Sequence, residues 1–223
     1  MGPSSVSPVL QRVPSGEIRA RLPRLVLGLV LCGVGIAALV RAELGLGPWD
    51  VLHQGVAELT GVTIGTVTVL VGLVVLLLWL PLRERLGLGT LLNVILIGLT
   101  VDVTLALLDA PSHLAARWAL LLLGPVLFAL GSGFYIGAGL GPGPRDGLMT
   151  GLARRGHPVG VVRLGIEVGA LAIGWSLGGT VGIGTVVFAF GIGPLVHIAL
   201  DRMSLPPIGP HPVPTPGYVT PDG

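Results

Sequence analysis

Six runs of mostly apolar residues fall at about 22–41, 62–82, 88–108, 117–138, 159–178 and 182–201. A helix needs about 20 such residues to cross the hydrocarbon core of a bilayer. With six of them in 223 residues, the chain is predicted to be an all-α integral membrane protein with six transmembrane helices. Composition argues the same way. Only 11% of the residues are charged and 52% are hydrophobic, against about 25% charged in a soluble domain. That leaves too little polar surface to cover a globule in water.

The ends read differently from the middle. Residues 1–21 are polar and uneven and are expected to form a disordered cytoplasmic tail. The competing reading, a secretory signal, fits poorly: the first apolar run exceeds a typical signal core of about 7–15 residues, and no small-residue cleavage site follows it. Residues 204–223 are Pro-rich and are expected to be a second disordered tail. The membrane domain between them covers 22–203.

Arginine sets the orientation. With the N-terminus in the cytoplasm, Arg12, Arg19, Arg21, Arg24, Arg83, Arg85, Arg145, Arg154, Arg155 and Arg202 lie inside, and only Arg41 and Arg117 lie outside. Both termini are therefore predicted to be cytoplasmic. The arginines are dispersed and not interleaved with aromatics, so nucleic acid is not an expected partner.

The sequence also repeats itself. At an offset of 96, Leu44, Gly45, Gly47, Pro48, Asp50, Leu52, Gly55 and Ala57 match Leu140, Gly141, Gly143, Pro144, Asp146, Leu148, Gly151 and Ala153. At an offset of 95, Gly87-Leu88-Gly89-Thr90 corresponds to Gly182-Ile183-Gly184-Thr185, and Ile97-Gly98 to Ile192-Gly193. Repeat one covers about 22–110 and repeat two about 115–203. Each holds three spans, an odd number, so the second enters the membrane from the opposite side. An inverted repeat of this kind is common among secondary transporters, whose sites lie near the midplane where the repeats meet.

Each repeat carries a G-x-G-P-x-D segment. Gly47-Pro48 and Gly143-Pro144 have helix-start chemistry, since proline suits the first turn and an acid there faces the positive end of the helix dipole. The stretches that follow are too short to span. They are expected to be either re-entrant half-helices, aiming backbone N–H groups at a solute, or amphipathic helices on the interface. Capping alone would also explain the Gly, Pro and Asp positions. On a helix, Asp50, His53 and Gln54 share a face, and Asp146 shares one with Thr150. A substrate or ion site is therefore expected at Asp50, His53, Arg145 and Asp146, joined by Asp102 and His197 from the spans.

Ionisable groups within spans are costly and are functional candidates by default. Asp102 falls in the third run, and His197 is its partner at the 95-residue offset. The two could pair or relay a proton, or serve only as interhelical hydrogen bonds. Arg163 and Glu167 are four apart and can neutralise each other, and Asn93 is expected to bridge helices. Cys32 is read as a small buried hydrophobe. No P-loop, H-E-x-x-H, C-x-x-C or G-x-S-x-G occurs, so no enzyme activity, cofactor or metal is expected.

The run Gly45-Leu46-Gly47-Pro48-Trp49-Asp50-Val51-Leu52-His53-Gln54-Gly55, with Gly87-Leu88-Gly89-Thr90, Asn93, Gly98, Asp102 and Gly143 to Met149, resembles the YczE branch of the bacterial YczE/YyaS/YitT-type membrane proteins. The resemblance covers roughly 25–202. It implies a bacterial inner-membrane protein and assigns no catalytic or ligand residue. The residues themselves lead to an expected small-solute transporter or permease with a polar site at the repeat interface. The alternative is a non-transporting binding or accessory subunit of a membrane complex. Expected partners are the lipid bilayer, a small molecule or ion, and a second copy or another membrane protein.

Overall fold

Every apolar run forms a helix long enough to cross a bilayer. The computed structural model describes residues 14–206 and is all-helical over them: α1 (Ser15–Ala42), α2 (Pro48–Thr60), α3 (Ile64–Leu82), α4 (Leu88–Leu107), α5 (Leu114–Gly137), α6 (Pro144–Ala153), α7 (Val159–Ser176) and α8 (Ile183–Met203). The six candidate spans are α1, α3, α4, α5, α7 and α8. The helix α1 begins at Ser15 and not at 22, so the described part of the expected N-terminal tail is helical. The cause is a set of side-chain contacts, one local and the others long-range. Glu17 binds Arg21 Nε at 2.8 Å, and Arg21 also donates to Ala138 O at 3.1 Å and to Pro206 O at 2.9 Å. Arg24 donates to Met203 O. The start of α1 and the end of α8 thus lie on one side of the bundle. The rest of both expected tails lies outside the described residues.

The centre of the bundle is the seam between α1 and α5, which run antiparallel. A methyl group on Gly28 would fall 2.6 Å from Gly131 O, and one on Gly35 would fall 2.6 Å from Gly124 O. Within a membrane, helices gain contact by bringing backbones close, and small residues permit it. Around this seam α4 packs on α1 and α8 packs on α5, while α2 lies against α7 and α3, and α6 against α3 and α7. Leu25, Leu29, Cys32 and Ile36 of α1 are buried with Ile97, Val101 and Tyr135. Cys32 is enclosed, as expected of a small hydrophobe.

The helices α3 and α4 form a second close seam, where a methyl on Gly65 would fall 2.0 Å from Gly98 O. Asp102 fastens it. Its carboxylate accepts from the Gly65 N–H at 2.7 Å and from Thr63 Oγ1 at 2.6 Å. This is a cap supplied to α3 by another helix. Asp102→Ala should lower stability by about 1 kcal/mol, the usual cost of a lost N-cap, and Asp102→Asn by less. Thermal melts in detergent check this, and an unchanged midpoint for the alanine variant would refute it.

The short helices α2 and α6 do not lie along the surface. Each follows a chain segment that turns sharply at a glycine of positive φ, Gly45 (φ 110°) and Gly141 (φ 126°). Only glycine tolerates that conformation without strain. The turns dock on the starts of α8 and α4: Gly184 N–H donates to Leu44 O at 2.7 Å, and Gly89 N–H donates to Leu140 O at 2.9 Å. From there α2 begins beside the middle of α3, with Trp49 against Val75. It runs back along α3, with His53 beside Thr68, and ends where α3 begins. Likewise α6 begins at Trp79, whose indole Nε1 donates to Pro144 O at 3.0 Å. It ends at the other end of α3, where Arg154 pairs with Glu84. The two helices therefore point their N-termini at each other and their C-termini to opposite ends of the bundle.

Candidate functional site

The two helix starts meet at a cavity of about 200 Å³. Gly47 and Gly143 cap α2 and α6 in extended conformation, each followed by proline in the first turn. This fixes Trp49, Asp50, Arg145 and Asp146 within one turn of the two N-termini. Backbone N–H groups at a helix start carry partial positive charge, so both carboxylates sit where they are electrostatically favoured. All four residues line the cavity, as do His53, Tyr135 and Asn93.

The contacts within it are specific. The Arg145 guanidinium stacks 4.9 Å above the Trp49 ring and lies 3.8 Å from Asp50 Oδ1. Tyr135 donates its hydroxyl proton to Asp146 Oδ2 at 2.9 Å. The Thr68 hydroxyl donates to Ile64 O at 2.9 Å. Thr68 Oγ1 is then the acceptor for His53 Nδ1–H at 3.1 Å, which assigns the proton of a neutral ring to Nδ1. His53 Nδ1 also lies 3.6 Å from Asp50 Oδ1.

Two polar atoms in this cluster are buried without a hydrogen bond: Asp50 Oδ1, an acceptor, and Trp49 Nε1, a donor. Asp50 is 2% exposed and Trp49 is 9% exposed. Such atoms are rare and costly. The helices α2 and α6 are not spans, and burial shifts one titrating group on each. It pushes His53 below its ordinary value against the opposing pull of the nearby Asp50 carboxylate. It pushes the Asp146 carboxyl up, opposed by the Tyr135 hydroxyl and the Arg145 charge. Burial thus disfavours the charged form of both groups, His53 on α2 and Asp146 on α6.

The structure brings Asp50, His53, Arg145 and Asp146 together and leaves Asp102 and His197 outside. Asp102 caps α3, and His197 is 62% exposed on α8, 3.5 Å from Asp201. The two do not meet. Trp49, Tyr135 and Thr68 join the site although no spacing rule marks them. The one signal for Trp49 is that it sits at the repeat position of Arg145 and in the turn that carries Asp50. Asn93 also lines the cavity, near Gly143.

These features define a polytopic, all-helical membrane protein whose six-span bundle holds a largely apolar cavity with a cluster of charged and polar side chains in its wall. Residues 19–201 match the family described as a family of unknown function, DUF6198, and the chain belongs to it. The chain is 42% identical over 188 residues to an uncharacterized protein of Haemophilus influenzae, covering 84% of this chain and 86% of that one. It is 35% identical over 178 residues to the uncharacterized membrane protein YczE of Bacillus subtilis, covering 78% and 83%. The resemblance noted in the sequence is thus borne out. No solved structure matches.

Proposed function

We propose that the protein is a small-solute transporter or permease of the bacterial inner membrane, built as two inverted repeats around the cavity. The observation that carries this reading is the convergence of two short helix N-termini on Asp50, Arg145 and Asp146. Non-spanning helices that meet head to head inside a bundle form a polar site without exposing backbone to lipid.

Several pairings support the repeat. The seam contacts Gly28–Gly131 and Gly35–Gly124 exchange under the 96-residue offset. So do the docking bonds, Gly184 to Leu44 and Gly89 to Leu140, at the paired offsets. Trp49 and Arg145 occupy equivalent positions and stack on each other, as residues beside a two-fold axis would. With both termini in the cytoplasm, α2 enters from the outside and α6 from the inside as half-helices. The solute is small and polar, with a donor for Asp50 Oδ1 and an acceptor for Trp49 Nε1.

The test is flux. Purified protein in liposomes is exposed to osmotic gradients of glycine, betaine, acetate, urea and glycerol, and volume recovery is followed by light scattering. Recovery faster than in empty liposomes is expected for at least one solute. Asp50→Asn and Asp146→Asn should each remove most of it, by about ten-fold or more for a lost site contact, while the proteins stay monodisperse. Unchanged flux in both variants would remove the site from the pathway. No flux with any solute, together with retention of a second membrane protein on purification, would favour the accessory-subunit reading.

A further inference from the structure

The two halves are not in the same state. In the first, α3 and α4 are closed on each other at Gly65 and Gly98 and fastened by Asp102. The equivalents at the 95-residue offset are Gly160 on α7 and Gly193 on α8. Both glycines recur in the sequence, yet neither has any atom within 4 Å of where a methyl would stand. The helices α7 and α8 are not among the packed pairs. The cavity wall passes from Arg163 and Glu167 on α7 to Ala189 and Gly193 on α8 across that gap.

The pattern extends along both helices. Gly72 of α3 faces Val94 of α4, where a methyl would meet its side chain at 3.1 Å. The equivalent pair is Glu167 and Ala189, in which a large residue replaces the glycine and a small one replaces the valine. The volumes are complementary, so the second face can close as the first has done. His197, the equivalent of Asp102, lies near the level of the α7 start in that closed arrangement.

We propose that α7 and α8 form the gate of the cavity, closing through Gly160 and Gly193 into the seam that α3 and α4 display. The structure is then one of two states. In the other, α7 meets α8 while α3 parts from α4 and the Asp102 cap breaks. The solute site stays fixed between them and opens to alternate sides. This rests on the inverted-repeat transporter reading and adds the moving parts to it.

Disulfide trapping tests it. A cysteine pair forms a bond only when its Cα atoms come within about 4.4–6.8 Å. In a Cys32→Ser background, Gly160→Cys with Gly193→Cys is oxidised in native membranes. Both positions are open, so the substitutions cost little packing. A second pair, Gly160→Cys with His197→Cys, guards against misfolding of the first. Gly165→Cys with Gly193→Cys is the control, since Gly165 faces elsewhere on α7. The expected result is an intramolecular bond in the first two pairs, formed about ten-fold faster than in the control because only they share the closed seam. Adding Asp102→Ala should raise that rate several-fold by weakening the opposing seam.

Cross-linking no faster than the control, in protein whose cysteines react with N-ethylmaleimide, would overturn the gate. So would bonds that form only between two copies, which would make this face a dimer seam. The readout needs no solute. A failed cross-link beside measurable flux therefore removes the gate alone, and a trapped gate beside absent flux removes the transporter reading alone.

Discussion

Gly131→Leu is expected to destabilise the folded bundle strongly. A methyl at this position would fall 2.5 Å from Gly28 O and 2.7 Å from Cys32 N. Both are backbone atoms of α1, so no side-chain rotation relieves the clash. The helices must separate, and the separation spreads along the seam to Gly35 and Gly124. Overpacking against side chains costs about 1–3 kcal/mol, and a rigid backbone partner puts this case at or above the upper end. A three-helix unit around α1 loses its contacts together, because α4 and α5 both pack on it. In detergent the melting midpoint should fall on the order of 10 °C, or the protein should fail to elute as a single species. Gly169→Leu is the control, on a face of α7 with nothing within 4 Å, and should melt near wild type. A Gly131→Leu protein that melts like Gly169→Leu would show that the α1–α5 seam does not limit stability.

Much of the architecture was legible because membranes impose a simple rule. A span needs a long apolar run, and six such runs became six long helices. The helix starts at Pro48 and Pro144 were legible for a similar reason, since proline and an adjacent acid have few other uses at that spacing. The start of α1 was not. Residues 15–21 look like a polar tail, and they are helical because Arg21 reaches carbonyls on segments more than a hundred residues away. No local pattern encodes that.

The site divides along the same line. Asp50, His53, Arg145 and Asp146 are legible because they sit on the two G-x-G-P-x-D segments, whose helix starts meet at the cavity. Asp102 was weighed as a functional group because a carboxylate in an apolar run is expensive. The sequence could not reveal that Asp102 reaches the start of α3, where the Gly65 N–H and the Thr63 hydroxyl meet it. An acid in an apolar run is stabilised by a ligand or by a helix start alike, and only the tertiary arrangement separates the two. Tyr135 and Thr68 carry no signal at all, since an isolated aromatic or threonine in a span is ordinarily packing. The gap between α7 and α8 is a property of a conformation. The glycines that would close it read identically in both halves.

Arg145→Gln should damage the site more than the loss of one side chain would suggest. Arg145 is the cation nearest to Asp50, whose Oδ1 already lacks a hydrogen bond. His53 is a poor substitute, because burial disfavours its charged form and its Nδ1 is directed to Thr68. Removing the guanidinium therefore leaves a carboxylate 2% exposed with only the α2 N-terminus to stabilise it. Breaking one side of a buried ion pair costs about 3–5 kcal/mol. The expected cost here is near the lower end, since the Arg145 side chain is 28% exposed and part of the charge interaction is screened. The same argument fixes the double variant. Asp50→Asn with Arg145→Gln removes both charges and should recover most of the lost stability, although flux stays lost. A double-mutant cycle of melting midpoints, run in one detergent at one pH, isolates this coupling. A double variant as unstable as the sum of the two single ones would mean that Asp50 and Arg145 do not act as a pair. The site would then consist of two independent helix starts, and the stacking of Arg145 on Trp49 would be its main role.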